Sequence, residues 1–113
     1  QFAAKELFIA KHYISVQKWV PAINRLRAIV KDYDKTIFIE EALHRLVEIH
    51  YHIGLKEEAN KYASILGYNY NSSEWFEQSY KLLNKDYEKD LKIEKNEKEK
   101  NFFIKIINKI KLK

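Results

Sequence analysis

The sequence predicts an all-α fold, a solenoid of helix-turn-helix repeats with a capping helix towards its C-terminal end. Seven positions recur at a constant interval of 37 residues in this chain of 113 residues. The first copy comprises Ile9, Ala10, Tyr13, Ala22, Leu26, Ile29 and Asp34, and the second comprises Leu46, Val47, His50, Ala59, Ala63, Leu66 and Asn71. Only two glycines and one proline interrupt the chain, which favours long helices. This pattern is typical of tetratricopeptide-like repeats, which stack into scaffolds that bind other proteins.

The first predicted repeat covers residues 1–35 and contains two helices. The first helix is expected to run to about Ser15. The second is expected to start at Pro21, because the missing N–H of proline costs nothing in a first turn. The apolar residues of the second helix follow the 3, 4, 7, 8 spacing of an amphipathic helix. They are Ala22, Ile23, Leu26, Ile29 and Val30.

The second predicted repeat covers residues 36–72. Thr36 or Asp34 is expected to cap its first helix through a side-chain oxygen. Gly54 is expected to end that helix in the left-handed conformation, and Gly67 to end the following helix in the same way. The inner face of the first helix is predicted to carry Ile39, Ala42, Leu43, Leu46, Val47, His50 and Ile53.

A capping helix over residues 73–91 is predicted to cover the end of the stack. It is expected to carry Trp75, Phe76, Ser79, Tyr80, Leu83 and Tyr87. Residues 92–100 are predicted to form a charged linker or an extension of that helix. Between residues 84 and 100 six lysines balance six acidic residues, a pattern of solvated segments rather than of a core.

Residues 101–113 are predicted to form a basic amphipathic helix. Its apolar residues fall within one arc of about 140° on a helix of 3.6 residues per turn. They are Phe102, Phe103, Ile106, Ile107 and Ile110. Such a helix docks on a membrane surface or in a partner's groove. The alternative is that it folds back onto the solenoid of a longer chain.

The charge distribution argues against nucleic-acid binding. The formal net charge is +5, and residues 101–113 supply four of those charges with four lysines and no acidic residue. The preceding part of the chain is therefore almost neutral, whereas a nucleic-acid interface requires a basic surface on the folded part.

The absence of cysteine excludes disulfides and zinc-thiolate sites.

The residue pattern contains no convincing catalytic or metal-binding site. We therefore expect that the protein is not an enzyme and has no catalytic residue, no cofactor and no metal site. His44, Glu48 and His52 are spaced four apart, as zinc ligands on one helix can be. However, their face lies opposite the apolar residues Leu43 and Val47, and we expect it to be turned to solvent. His50 lies on the inner face and is predicted to be a hydrogen-bonded core residue.

Three stretches of the sequence resemble the C-terminal part of the BamD family of tetratricopeptide lipoproteins. They are Tyr33 to Leu43 (YDKTIFIEEAL), Gly54 to Ala63 (GLKEEANKYA) and Leu66 to Leu83 (LGYNYNSSEWFEQSYKLL). The upstream stretch YISVQKWVPAINRLRAIVKDYDKT is similar to the penultimate repeat of the family. One departure is Gln17-Lys18-Trp19, where a glycine is common, so we expect the first hairpin turn to be built differently.

The resemblance implies a scaffold subunit of the machinery that assembles outer-membrane β-barrel proteins. It implies a place on the periplasmic face of the outer membrane, with an N-terminal lipid anchor outside this chain. The chain has no initiator methionine and no signal peptide, and we expect it to be a fragment or a processed form. The resemblance also implies that the C-terminal repeats contact BamA, through its POTRA domain, and other subunits. The residues expected at that contact are Asn24, Arg25, Arg27 and Lys31.

The alternative function is that of a tetratricopeptide adaptor of another pathway. Such an adaptor binds peptide tails in its concave groove. Tyr13, Arg45 and Tyr62 are the residues expected to line that groove.

Overall fold

A computed structural model describes residues 2–111, with side chains described for residues 2–85 and 93–109. The described backbone forms six α-helices and no β-strand. The helices are α1 (Phe2–Ser15), α2 (Trp19–Asp32), α3 (Ile39–His52), α4 (Lys56–Asn69), α5 (Glu74–Leu83) and α6 (Lys85–Lys111). The predicted all-α fold is confirmed. Residues 1–83 form one compact unit and residues 84–113 form another.

The first unit is built from two helical hairpins and one covering helix. α1 packs against α2 and α3 packs against α4, while α2 packs on α3 and thereby joins the two hairpins. α5 packs on both α3 and α4, so it occupies the capping position that the sequence predicted. The core side chains are Leu7, Ala10, Ala22, Leu26, Ile29, Ile39, Ala42, Leu43, Leu46, Val47, Ile49, Ala59, Tyr62, Ala63 and Leu66. Most of them belong to the recurring positions of the 37-residue pattern, which explains the recurrence.

The turn between α3 and α4 has the geometry of a Schellman motif. Gly54 adopts a φ of 88°, as predicted for the residue that ends this helix. The N–H of Leu55 donates to the carbonyl of His50 at 2.8 Å, and the N–H of Gly54 donates to the carbonyl of Tyr51 at 3.2 Å. These two bonds satisfy carbonyl groups that the helix end would otherwise leave without partners.

The turn between α1 and α2 is built in the same way, which corrects the prediction of a different turn. Gln17 stands at the position in the first repeat that Gly54 takes in the second repeat, and it adopts a φ of 59°. The N–H of Lys18 donates to the carbonyl of Tyr13 at 2.9 Å, and the N–H of Gln17 donates to that of Ile14 at 3.0 Å. The two hydrogen bonds hold a residue with a side chain in the left-handed region, where glycine is favoured.

Two helices start at other residues than predicted. α2 begins at Trp19, so Pro21 is its third residue and still lies in the first turn, where no N–H is needed. α3 begins at Ile39 after Phe38, and no side chain caps it. The hydroxyl of Thr36 instead donates to the carbonyl of Tyr33 at 2.7 Å. The expected cap is absent because this hydroxyl closes the preceding turn.

Gly67 does not end its helix, which corrects a second prediction. α4 continues to Asn69, and Gly67 lies inside it. A Cβ atom at Gly67 would lie 3.0 Å from Cε1 of the Phe76 ring. The absence of a side chain therefore lets α5 approach α4 closely. In sequence, a glycine that permits close packing and a glycine that ends a helix look alike.

The C-terminal part of the chain is helical to Lys111. Ser73 caps α5, because its Oγ accepts a hydrogen bond from the N–H of Phe76 at 3.0 Å. α5 ends at Leu83 and α6 begins at Lys85, so the predicted helix over residues 73–91 is divided between two helices. Residues 92–100 lie within α6, which continues into the predicted amphipathic segment.

Candidate protein-binding surfaces

The outer face of α2 carries three of the four residues predicted to bind a partner. Burial of Ala22, Leu26 and Ile29 fixes the rotation of this helix. Asn24, Arg27 and Lys31 are exposed. Val20 is 69% exposed and precedes them at the spacing i, i+4, i+7, i+11, which places all four on one face of a helix. We call Val20, Asn24, Arg27 and Lys31 the helix-two stripe.

Arg25, the fourth predicted residue, lies on a different side of α2. Its Nη1 donates to Oε1 and Oε2 of Glu6 at 3.1 and 3.2 Å. The Arg25 side chain is 42% exposed and that of Glu6 22% exposed. This ion pair ties α2 to α1 within the first hairpin. Part of the donor capacity of Arg25 is therefore used inside the molecule.

Arg27 links the two repeats. Its Nε donates to the hydroxyl of Tyr62 on α4 at 3.2 Å. Tyr62 is buried, and its ring centroid lies 5.3 Å from that of His50. His50 is also buried, and its Nδ1–H donates to the carbonyl of Leu46 at 2.7 Å, as predicted for a core histidine. Val20 shares the face of Arg27 but was not among the residues predicted from the sequence. Its spacing from Asn24, Arg27 and Lys31 along α2 could have identified it.

A pocket of about 470 Å³ is lined by residues of α1, α2, α3 and α5. Its lining consists of Ile14, Trp19, Arg45, Glu48, Ile49, Tyr51, His52 and Leu82. We call this pocket the α3 groove. Arg45, one of the three residues predicted to line the groove of an adaptor, contributes to this lining. Tyr62 is buried between α2 and α4 instead, and the lining residue from the end of α1 is Ile14 rather than Tyr13.

Charged side chains around Arg45 neutralise one another. Arg45 Nε lies 3.3 Å from Oε2 of Glu41, and its Nη1 lies 2.9 Å from Oε1 of Glu48. Lys11 on α1 also pairs with Glu41, which connects the first helices of the two repeats. The Arg45 guanidinium lies 5.7 Å from the centroid of the Trp75 ring, a cation–π distance. Arg45 is thus held in place by α3 and α5.

His44 is buried beneath α5, which corrects the prediction that its face is turned to solvent. Its ring lies 5.3 Å from that of Trp75. Nε2 lies 3.3 Å from Oε1 of Glu48, and Nδ1 lies 2.7 Å from Oγ of Ser79. Because a carboxylate only accepts hydrogen bonds, we assign a proton to Nε2, which donates to Glu48. In the tautomer that carries its proton on Nε2, the Ser79 hydroxyl donates to Nδ1.

The hydrogen bond from His44 holds the pKa of the Glu48 carboxyl below its ordinary value, and the nearby Arg45 acts in the same direction against burial, which raises it. Glu48 is therefore ionised at neutral pH and accepts from both neighbours.

Within the described residues, no group of three or more histidine, cysteine or acidic side chains is placed to hold a metal ion. His52 is exposed, and its ring lies 5.1 Å from that of Trp19.

The C-terminal segment of α6 exposes large apolar side chains. Phe102 and Phe103 are each 62% exposed, and Ile106 and Ile107 are also exposed. Ile110, the fifth predicted residue of this face, lies outside the residues whose side chains the structure describes. Among the described residues, no helix is long and apolar enough to cross a membrane.

Known proteins are similar in sequence to this chain over most of its length. A family model described as an outer membrane lipoprotein, YfiO, matches residues 1–66. The outer membrane protein assembly factor BamD of Rickettsia prowazekii (strain Madrid E) is 42% identical over 86 residues, which are 76% of this chain and 34% of that protein. BamD of Caulobacter vibrioides (strain ATCC 19089 / CIP 103742 / CB 15) is 39% identical over 84 residues, which are 74% of this chain and 28% of that protein. No solved structure matches.

The matched stretches span about a third of the length of these curated relatives. The family model covers both helical hairpins almost to the end of α4. Its description is consistent with the predicted place at the periplasmic face of the outer membrane. The chain therefore belongs to the YfiO family of outer membrane lipoproteins, the family that its resemblance to BamD predicted.

Proposed function

We propose that this chain is part of a scaffold subunit that acts in the assembly of outer membrane proteins. The observation that carries the proposal is the 42% identity to a protein named as an outer membrane protein assembly factor. The repeats of the first unit provide what a scaffold needs, namely a rigid core with exposed helix faces. Repeats of this kind present extended surfaces to other proteins.

The proposed role is not enzymatic. Ser79, His44 and Glu48 form a chain of hydrogen bonds whose composition matches that of a hydrolase triad. The Ser79 side chain is fully buried, so its hydroxyl cannot reach a substrate, whereas a nucleophile must lie within reach of the bond it attacks. The chain of hydrogen bonds fastens α5 to α3 instead.

The proposed partner surface is the helix-two stripe, and the proposed partner is the POTRA domain of BamA. Arg27 and Lys31 give this face a positive charge, which favours an acidic face on the partner and speeds encounter. Asn24 adds donor and acceptor groups on the same face, and the exposed Val20 adds apolar area. Other subunits of the complex are proposed to use further faces of the same repeats.

The partner proposal is tested by calorimetric titration of the 113-residue chain with the POTRA domains of BamA from the same organism. Lys31→Glu is expected to weaken binding about tenfold, which corresponds to about 1.4 kcal/mol. Lys5→Glu is the matched control, because Lys5 is an exposed lysine on α1 and its replacement changes the net charge equally. Equal effects of the two variants would show that total charge, not the stripe, determines binding.

Arg25 requires a design of its own because it pairs with Glu6. Arg25→Glu alone would place two carboxylates side by side and disturb the hairpin. The exchange Glu6→Arg with Arg25→Glu restores an ion pair while it reverses the charge that α2 presents. Recovery of binding in the exchanged protein would assign Arg25 a structural role. Loss of binding with unchanged circular dichroism would place Arg25 in the interface.

A second candidate function rests on the α3 groove. Its apolar walls suit an extended peptide tail, and Nη2 of Arg45, which takes no part in the ion pairs with Glu41 and Glu48, is available to donate to a polar group of that tail. In this case the protein is an adaptor that captures peptide tails. Arg45→Gln is expected to abolish tail binding and to leave POTRA binding intact, so titrations with the two ligands distinguish the two functions.

A further inference from the structure

We propose that residues 101–111 of α6 bind the surface of an anionic phospholipid membrane. We call these residues the apolar tip. Its large side chains are exposed on the helix surface, and they are Phe102, Phe103, Ile104, Ile106 and Ile107. Soluble proteins rarely expose a continuous patch of large apolar side chains unless it is a binding surface.

The charge of this segment indicates what covers the apolar face. Residues 101–113 contain four lysines and no acidic residue, and thereby account for four of the five net positive charges of the chain. Lys105 and Lys109 precede and follow Ile106 and Ile107 in the helix. Lysine side chains at the edge of an apolar face extend their ammonium groups to the level of the lipid phosphates. A continuous anionic surface satisfies both Lys105 and Lys109 at once.

The length of the apolar tip fits a helix that lies in the membrane interface. Eleven helical residues extend about 16 Å, about half of the thickness of the hydrocarbon core. Lysine is also frequent on the polar face of helices of this kind, with phenylalanine and isoleucine or leucine on the other face.

The preceding part of α6 has the composition of a spacer. Residues 85–100 balance six lysines against six acidic residues, and the described side chains of residues 93–100 are exposed. A helix that is polar all round is typically solvated along its length. These sixteen residues extend about 24 Å, so the start of α6 and the apolar tip are well separated along the helix axis.

This inference does not depend on the proposed scaffold function. The family model ends at residue 66, so α6 lies beyond it. The apolar tip would therefore act as a membrane contact of this chain whether or not the helix-two stripe binds a POTRA domain.

The test is co-sedimentation of the 113-residue chain with vesicles. Vesicles of phosphatidylcholine with 30% phosphatidylglycerol are compared with vesicles of phosphatidylcholine alone, each at low and high salt. We expect binding to the anionic vesicles that falls at least tenfold at high salt, because salt screens the attraction between lysine and phosphate. Lys105→Gln with Lys109→Gln is expected to lower the partition coefficient about thirtyfold, from the typical contribution of a lysine at an anionic surface.

Two aromatic variants make the test specific. Phe103→Glu is expected to lower binding at least tenfold, since it removes apolar area and adds a negative charge. Phe8→Glu is the matched control, because Phe8 on α1 is also a largely exposed phenylalanine, at 75% against 62% for Phe103. Equal loss in both variants would overturn the proposal, as would equal binding to the two kinds of vesicle or sedimentation with neither.

Discussion

Replacing Gln17 with glycine is expected to stabilise the helical repeats. Gln17 ends α1 with a φ of 59°, and the left-handed conformation costs residues with a side chain about 1–2 kcal/mol. Its side chain is exposed, so its removal sacrifices little packing. Glycine avoids the steric cost at this turn.

The expected gain is smaller than the strain it removes. Glycine also has more freedom in the unfolded chain, which offsets about 0.5–1 kcal/mol of the gain. The free energy of unfolding should therefore rise by about 0.5–1 kcal/mol. For a unit of this size the melting temperature should rise by about 2–8 °C.

Thermal and urea unfolding followed by circular dichroism measure this effect. Gln17→Ala is the control, because alanine removes the side chain but keeps the strained φ, and its effect should stay within about 0.5 kcal/mol. Gly54→Gln is the reciprocal change. No atom lies within 4 Å of a Cβ placed at Gly54, so this variant should be destabilised by backbone strain alone. A Gln17→Gly protein no more stable than Gln17→Ala would refute the reasoning.

Three further predictions concern the contacts of α5 and the groove. Ser79→Ala should leave the buried Nδ1 of His44 without its donor and lower the free energy of unfolding by about 1–3 kcal/mol, as urea denaturation would show; an unchanged midpoint would contradict the assigned hydrogen bond. Gly67→Ala should destabilise the protein by about 1–3 kcal/mol, because the new methyl group would overpack against the Phe76 ring. In a Phe76→Ala protein, where that ring is absent, the same change should stabilise by about 0.5–1 kcal/mol. Thermal unfolding of the four proteins of this double-mutant cycle measures both effects, and the same sign in both backgrounds would exclude the steric contact. The lowered pKa of Glu48 contributes stability that is complete above the ordinary glutamate pKa of about 4.3 and is lost as the pH falls through the lower pKa of the folded state. Glu48→Gln should therefore reduce the loss of stability between neutral and acid pH, and parallel pH curves for the two proteins would argue against the interaction with His44.

The sequence predicted the core because the period of the pattern is a direct consequence of burial. Ala22, Leu26 and Ile29 on α2 and their counterparts on α4 are buried, as their spacing indicated. Helix periodicity determines which residues share a face, and it needs no knowledge of what covers that face. The number of helices in the repeats and their apolar sides were therefore predictable.

The surroundings of the four predicted partner-binding residues could be predicted only in part from the sequence. Asn24, Arg27 and Lys31 are exposed, as the pattern on α2 required. The contact of Arg25 with Glu6 joins residues 19 positions apart, and the contact of Arg27 with Tyr62 joins residues 35 positions apart. Contacts between separate helices depend on how the hairpins pack, and one sequence does not reveal that packing.

By itself the sequence determined the repeat period, the buried faces of α2 and α4, the cationic C-terminal segment and the resemblance to the family. Each of these properties follows from the order of residues along one helix or from composition. Only the tertiary structure decided that Gln17 takes the left-handed position of a glycine, that Gly67 makes room for Phe76, and that α5 buries His44. Each of these outcomes depends on which helix lies next to which, because burial and close approach are created by packing between segments distant in the chain.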